Sequence, residues 1–373
     1  MRELPKPVFV KIDPAATEAD LIARYEAKSG KTLYPAQIER LFIDQIAYAT
    51  TGLQMSIQNA GEQLLVRRSS GPILDYLGEL VATPRLLAVG ARCALRFTIA
   101  VAATQPLLIP IGTRVTTQDA KLAFLTDEDV LIPVGQLQVT VTATCSTVGE
   151  AGNGWAIGQV SVITNPPFAG LLATNIAVTF DGAEDEEDDR YRERIILAPE
   201  AYSNAGSRGA YRYHAMAVHQ SIVDVAVHGP AEGQLPGHVA LFPLTTSGLP
   251  NADLLQRVLT LVSGEKVRPL CDTVHALPPT QIDYSINARI VFFDSADRVT
   301  TMAQAQAAAQ AYALELRAGL GVDIVPEQLI ARLQVAGVYR AFVELPALPR
   351  EVLGNEWAVC SSIQLIDAGT ANG

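Results

Sequence analysis

Apolar residues in this chain recur with two different periods. Over residues 14–82 the spacing is three to four, the period of a helix with one buried face. Thr17 opens a first helix. The segment Pro35 to Val66 carries Ile38, Leu41, Phe42, Gln45, Ile46, Ala49, Leu53, Ile57, Ala60 and Leu64 along one stripe. Gly71-Pro72 opens a shorter helix, ILDYLGEL, with Pro in the first turn, where its missing N–H costs nothing. Thr83-Pro84 ends it. From Arg92 to Phe180 the period drops to two. The run from Arg92 to Ile99, the strand pieces around Leu107 to Val115, Phe124-Leu-Thr and Val130 to Gly135, and the stretch Gln136 to Thr147 all read as strands, punctuated by Pro and Gly. Ile157 to Ile163 and Thr174 to Phe180 complete a small all-β domain.

Beyond residue 220 the two textures mix. Ile222 to His228 and Gly237 to Leu244 are strands, Asn251 to Ser263 a helix, and Gln281 to Phe293 a long strand. An Ala-rich helix over Thr300 to Ala318 and a Pro-led helix over Pro326 to Val335 follow. Val338 to Leu345 and Ala358 to Ile366 close the chain as strands. The expected fold is α+β and multidomain: N-terminal helices (1–90), a β-rich domain (91–181), a helical junction (182–220) and a C-terminal α+β sandwich with helices on one sheet face (221–373).

The junction contains the densest charge. Glu184 to Asp189 are six consecutive acids, followed by Arg190, Arg192 and Arg194. Acids at a helix start meet unpaired N–H groups and the positive end of the macrodipole. If helical, Glu186 stands one turn before Arg190, and Asp188 one turn before Arg192, the favourable order. Asp181-Gly182 serves as the cap region. This reading makes the run a solvated helix start, with a divalent-metal or basic-partner site as the alternative; Pro199 and a turn at Asn204 to Ser207 then separate it from a second helix. Glu186, Asp188, Arg190, Arg192 and Arg194 are the residues expected to order the junction.

Composition narrows the function. The 373 residues are 49% hydrophobic and only 18% charged, with mean hydropathy +0.20, yet no run approaches the length of a spanning helix. The excess apolar surface therefore belongs in cores or protein interfaces, which favours an assembly subunit. A net charge of −11 opposes nucleic-acid binding. The N-terminus lacks the apolar core of a signal peptide. Cys93, Cys145, Cys271 and Cys360 are far apart in sequence and are expected reduced and buried.

No motif supplies chemistry. His214 and His219 are five apart, not the i,i+4 pair of a zinc helix; these and His228, His238 and His275 read as surface or interface residues. There is no nucleophile elbow and no Walker loop. The glycines at 149, 152 and 154 read as a turn with Trp155 over it, and Arg268 with Asp272 as a structural ion pair. The expected catalytic, cofactor-binding and metal residues are none, and no enzyme activity is expected.

Short pieces follow one another along the chain: Gly71 to Gly78; Ile109-Pro110 with Gly112, Thr113 and Val115; Phe124 and Thr126; Ile132 to Gly135; Gly152-Asn153 and Gly158-Gln159; Gly182, Glu184 and Glu186 leading to Arg190, Arg192, Arg194 and Ile195; Ala205 to Ser207 with Ala210-Tyr211; Val267 to Leu270 with Asp272; and Val335 with Gly337-Val338. In that order they resemble the baseplate J family of contractile phage tails and related injection particles, including Mu-like and R-type pyocin assemblies. The acid run is denser here than the family pattern.

The resemblance implies a structural wedge subunit around a central spike hub, made in a bacterial cytoplasm and carried in a virion tail or tail-like particle. Its implied partners are a second copy of itself, a baseplate I-type tail protein, a sheath-initiating lysozyme-like baseplate protein and the spike hub. No nucleic acid, membrane insertion or cofactor is implied. On that view the N-terminal helices bundle with partner helices, and the wedge links receptor engagement to sheath contraction. A carbohydrate- or receptor-binding tail module is the alternative, although aromatics are only 6% of the chain.

Overall fold

The computed structural model describes residues 4–202, 206–265 and 267–372. It is mixed α/β, as expected, and divides into two compact units. One holds the chain up to Pro84 together with Tyr191–Ile196; the other holds Arg85–Arg190 and the chain from Leu197 onward.

The first unit is helical. Helix α1 (Pro14–Ser29) starts three residues ahead of Thr17 because the Asp13 side chain accepts the Ala16 N–H at 3.0 Å and Pro14 fits the first position. Gly30, at φ +68°, ends it in the left-handed conformation, with its N–H on Glu26 O. Helix α2 (Ile38–Gln63) pairs with α1, and its Arg40 forms ion pairs with Glu18 of α1 and Asp44. The segment before α1 returns to α2, where Gln58 accepts the Phe9 N–H at 2.8 Å and donates to Pro7 O at 2.8 Å. Phe9 lies over Gly61, where a Cβ would stand 2.6 Å from its ring. Helix α3 (Gly71–Glu79) supplies Leu74 to a small core with Val66, Val81, Tyr191 and Ile195.

This unit buries little. Helix α1 has no buried residue, and α2 buries only Ile43, Ala47 and Gln58. The sequence stripe faces outward: Ile38 is 70% exposed, Leu41 57%, Phe42 67%, Ile46 54%, Leu53 65% and Ile57 56%. The helical spacing is real, but among the described residues of this unit its apolar face has no core.

The second unit has three cores. Strands β1 (Gly90–Thr98), β3 (Arg114–Thr117), β4 (Ala123–Thr126), β6 (Gln138–Val148), β7 (Val160–Ile163) and β8 (Leu172–Asn175) form a sheet of order β7-β3-β4-β6-β1-β8, with all its pairings antiparallel. Its ends nearly close. The buried Asn175 side chain stitches the seam, accepting the Val160 N–H at 3.0 Å and donating to the carbonyls of Ala156 and Ala177. The ribbon of β2 (Leu107–Ile109) and β5 (Val130–Ile132) places Ile109 and Ile132 in the same core. The expected strand to Phe180 stops at Asn175, because Asn175 turns the chain; Phe180 returns as a lone bridge to Arg92.

The central core lies between helices α5 (Arg208–Met216) and α6 (Ala252–Val262) and the sheet β11-β10-β9, made of β9 (Ile222–His228), β10 (His238–Thr245) and β11 (Thr273–Ala276). Strand β11 has only four residues, too few to show alternation in the sequence. The last core packs α7 (Arg298–Arg317) and α8 (Pro326–Leu333) on the sheet β13-β12-β14, formed by β12 (Thr280–Phe293), β13 (Val338–Leu345) and β14 (Glu356–Ala371). Strand β12 pairs parallel with β14 and antiparallel with β13.

Two expectations are corrected. Cys93 and Cys145 are buried, but Cys271 is exposed and Cys360 half-buried; all four thiols are free. Arg268 does not pair with the Asp272 carboxylate: it donates to the carbonyls of Ser263 and Asp272, and that carboxylate accepts the Tyr211 hydroxyl at 2.7 Å.

Candidate functional site

Only the end of the acid run is a helix start; Glu186 is buried, whereas Glu184, Asp185, Glu187 and Asp189 are exposed. Helix α4 (Asp188–Leu197) begins only at Asp188, with Asp188 and Asp189 in its first turn. The acids before it hold other segments of the second unit. Glu184 accepts the Glu150 N–H at 3.1 Å, and Asp185 accepts the Ala88 N–H at 2.7 Å. Glu186 is 2% exposed; its N–H donates to Leu86 O and its carboxylate accepts the Leu86 N–H. Arg85 donates to Glu186 O at 2.6 Å and pairs with Asp188 at 2.8 Å. A carboxylate on a backbone N–H is a charge-assisted bond, roughly twice as strong as a neutral one, so Asp185, Glu186 and Asp188 clamp the irregular segment 85–88.

Arg190 is the hub. Its guanidinium pairs with buried Glu186 and donates to Met216 O at 2.9 Å, His219 O at 2.8 Å and Ile222 O at 3.0–3.1 Å. It thus satisfies the carbonyl end of α5, the loop after it and the start of β9. Only a planar, five-donor head can do this at once. Arg192 and Arg194 belong to the first unit: Arg192 donates to Ser69 O at 2.9 Å and Arg194, itself buried, to Pro84 O at 3.2 Å. Tyr191 adds its hydroxyl to Thr83 O at 2.7 Å. Glu186 and Arg190 act as a pair, Asp188 joins Arg85, and the other two arginines hold backbone elsewhere.

A second charged group carried no signal in the sequence. Asp181, at φ +73°, pairs with Arg257 at 2.6 Å, and its main-chain oxygen lies 3.2 Å from His219 Nε2. His219 Nδ1 lies 2.7 Å from the Ser221 hydroxyl and accepts the Ser221 N–H at 3.1 Å. Burial holds the His219 imidazole below its ordinary value, with the Asp181 carboxylate opposing and Arg257 and Arg190 reinforcing. His219 is 3% exposed, so the expectation of a surface histidine fails here.

Serine, histidine and aspartate thus meet at the wall of a cleft of about 1030 Å³. The geometry suits anchoring rather than nucleophile activation. The one in-plane lone pair of Nδ1 is engaged by a backbone N–H, so it is not free to take the hydroxyl proton. The other histidines are less enclosed. His238 Nδ1 and His275 Nε2 lie 3.0 Å apart, and His228 meets Phe242 edge-on.

The class so defined is a chain of a near-closed β-barrel followed by two α/β layers, with its dense charges engaged in internal ties. Three family models match it in that order: the Baseplate J-like protein barrel domain over residues 94–182, the Baseplate J-like central domain over 203–278 and the Baseplate J-like protein C-terminal domain over 284–366. Together they cover well over half of the chain, which therefore belongs to the Baseplate J-like family. Baseplate protein J of Escherichia phage P2 is 29% identical over 185 residues, covering 50% of this chain and 60% of that protein. The match thus spans less than two thirds of the relative's length. A chain in the cryo-EM structure of the anti-feeding prophage (AFP) baseplate, 6-fold symmetrised, aligns over 92% of this chain and 90% of its own, at 13% identity and a TM-score of 0.42. So loose a likeness adds nothing to the family assignment. Among the described residues no helix is long and apolar enough to cross a membrane.

Proposed function

We propose that this chain is a structural baseplate subunit of a contractile tail or tail-like injection particle, acting as a wedge around a central spike hub. Family membership supports the baseplate role. The observation that carries the finer reading is the exposed face of α2. Leu41, Phe42, Ile46, Leu53 and Ile57 lie more than half exposed on a helix that buries only three residues. Contiguous apolar surface on a soluble chain marks a protein interface, and apolar residues at this spacing anchor helix-on-helix recognition. The helical N-terminal region (1–90) bundles with helices of its partners, a second copy of this chain and a baseplate I-type protein. The C-terminal α+β domain (221–373) makes contacts between wedges, the β-rich domain (91–181) projects outward, and the assembled wedge meets the sheath-initiating protein around the hub. The wedge links receptor engagement to sheath contraction through a bistable interface.

Co-expression with the neighbouring tail gene products, followed by light scattering, tests this. The expected result is a stable complex of two copies with one smaller partner, lost in Leu41→Glu/Phe42→Glu. A monomer that ignores those partners, or a complex indifferent to the double substitution, overturns the reading.

A further inference from the structure

Strand β11 is the shortest strand of the central sheet. It has four residues, forms one edge and pairs only with β10. That pairing is parallel, with His238 beside Thr273 and Ala240 beside His275. Successive side chains of a strand point to opposite faces. Val239, Leu241, Val274 and Ala276 belong to the core under α5 and α6, so His238 and His275 share the opposite face, on neighbouring strands. Both are half-buried.

The two imidazoles meet edge to edge. His238 Nδ1 stands 3.0 Å from His275 Nε2, the ring planes differ by 5° and the centroids lie 5.3 Å apart. Parallel rings with that centroid distance and that nitrogen contact are coplanar, and the facing nitrogens point along the line between them. One of those nitrogens carries a proton and the other accepts it. The remaining histidines are engaged elsewhere: His219 with Ser221 and the Asp181 carbonyl, His228 edge-on to Phe242 and His214 edge-on to Tyr213.

We propose that His238 and His275 form a two-histidine chelate for a divalent transition metal, which fastens β11 to β10. Imidazole suits zinc, nickel and copper, whereas calcium and magnesium take oxygen ligands. Two nitrogens about 2.0–2.1 Å from one metal, at adjacent square-planar or tetrahedral positions, stand about 2.9–3.4 Å apart. The observed 3.0 Å lies within that range. Each ring has to turn by about 35–45° for the two lone pairs to converge on the metal, a motion open to half-buried side chains. The N–H···N bond is exchanged for two nitrogen–metal bonds. The donor ring's proton moves to its other nitrogen, so both imidazoles stay neutral. Among the described residues no group of three His, Cys, Asp or Glu is placed to hold a metal, so water fills the other positions. Such an open site exchanges its metal, unlike a closed four-ligand structural zinc. The inference concerns the chain alone and does not rest on the baseplate reading.

The test is calorimetric titration of the untagged full chain with Ni²⁺ and with Zn²⁺ in metal-free buffer at about pH 8. His238→Ala, His275→Ala, His228→Ala and Cys271→Ser are titrated beside it, and far-UV circular dichroism checks each fold. The wild type is expected to take up one ion per chain. With one imidazole gone the second, intramolecular bond is lost, so either of the first two variants should bind at least about tenfold more weakly. His228→Ala and Cys271→Ser, the latter at an exposed thiol, should bind as the wild type does. The metal should also raise the urea midpoint of the wild type more than that of His238→Ala, since only the folded chain holds the two rings together. No saturable uptake up to about 1 mM metal overturns the proposal. So does binding that survives in both variants of the pair, and so does binding lost with His228 or Cys271.

Discussion

Replacing Arg190 by Ala removes the centre of the charged cluster, and the structure sets the size of the effect. Glu186, 2% exposed, would keep its carboxylate in a buried site without the Arg190 guanidinium. Breaking a buried pair from one side costs about 3–5 kcal/mol, because the remaining charge is desolvated without compensation. The carbonyls of Met216, His219 and Ile222 would lose their donor as well. Such a loss is a large part of the roughly 5–15 kcal/mol available to a folded domain.

Urea unfolding followed by circular dichroism reads it, with Glu186→Gln and the double variant completing a cycle. Glu186→Gln keeps an acceptor for the Leu86 N–H and loses only charge, so it should cost about 1–3 kcal/mol. The double variant should cost clearly less than the sum of the singles, since it removes both charges of the pair. It should still fall short of wild type by about 1–3 kcal/mol, because carbonyls remain unsatisfied. A single Arg190→Ala cost below about 1 kcal/mol, or strict additivity in the cycle, would refute the cluster as a source of cohesion.

Two further outcomes follow from packing and titration. A Cβ at Gly78 would crowd the Tyr191 hydroxyl and come within 2.7 Å of Thr83 O, so Gly78→Ala should displace Tyr191 and break its bond to Thr83. The expected cost is about 2–4 kcal/mol from overpacking and the lost bond; a urea midpoint equal to wild type would count against that packing. Burial holds His219 below its ordinary value of 6.5, so the folded chain binds fewer protons there than the unfolded chain. Stability from this group is complete above pH 6.5 and falls as the pH drops below it. His214 and His228, also depressed by burial, add in the same direction. Urea midpoints should decline between pH 7.5 and 5.5, less steeply in His219→Gln; equal slopes would show that His219 does not carry the effect.

Sequence periodicity by itself determined where most elements lie. The three N-terminal helices, the alternating strands of the barrel and the long strand β12 were legible because period and punctuation are local properties of the chain. Strand β11 and the end of β8 were not, because four residues show no period and Asn175 acts through contacts distant in sequence. The charged segment was legible as charge but not in its use. Six acids before three arginines look like a helix start, yet Glu184, Asp185 and Glu186 bond to backbone at residues 150, 88 and 86. Nothing local to the run marks those partners. His219 likewise gained its burial and its Asp181 contact only through tertiary placement. The helical stripe of α2 is the reverse case. Its spacing predicted a buried face, and only the tertiary structure showed that the described residues of its own unit leave that face exposed. Periodicity fixes which residues share a face; the surface that covers the face is set by contacts far along the chain or on another one.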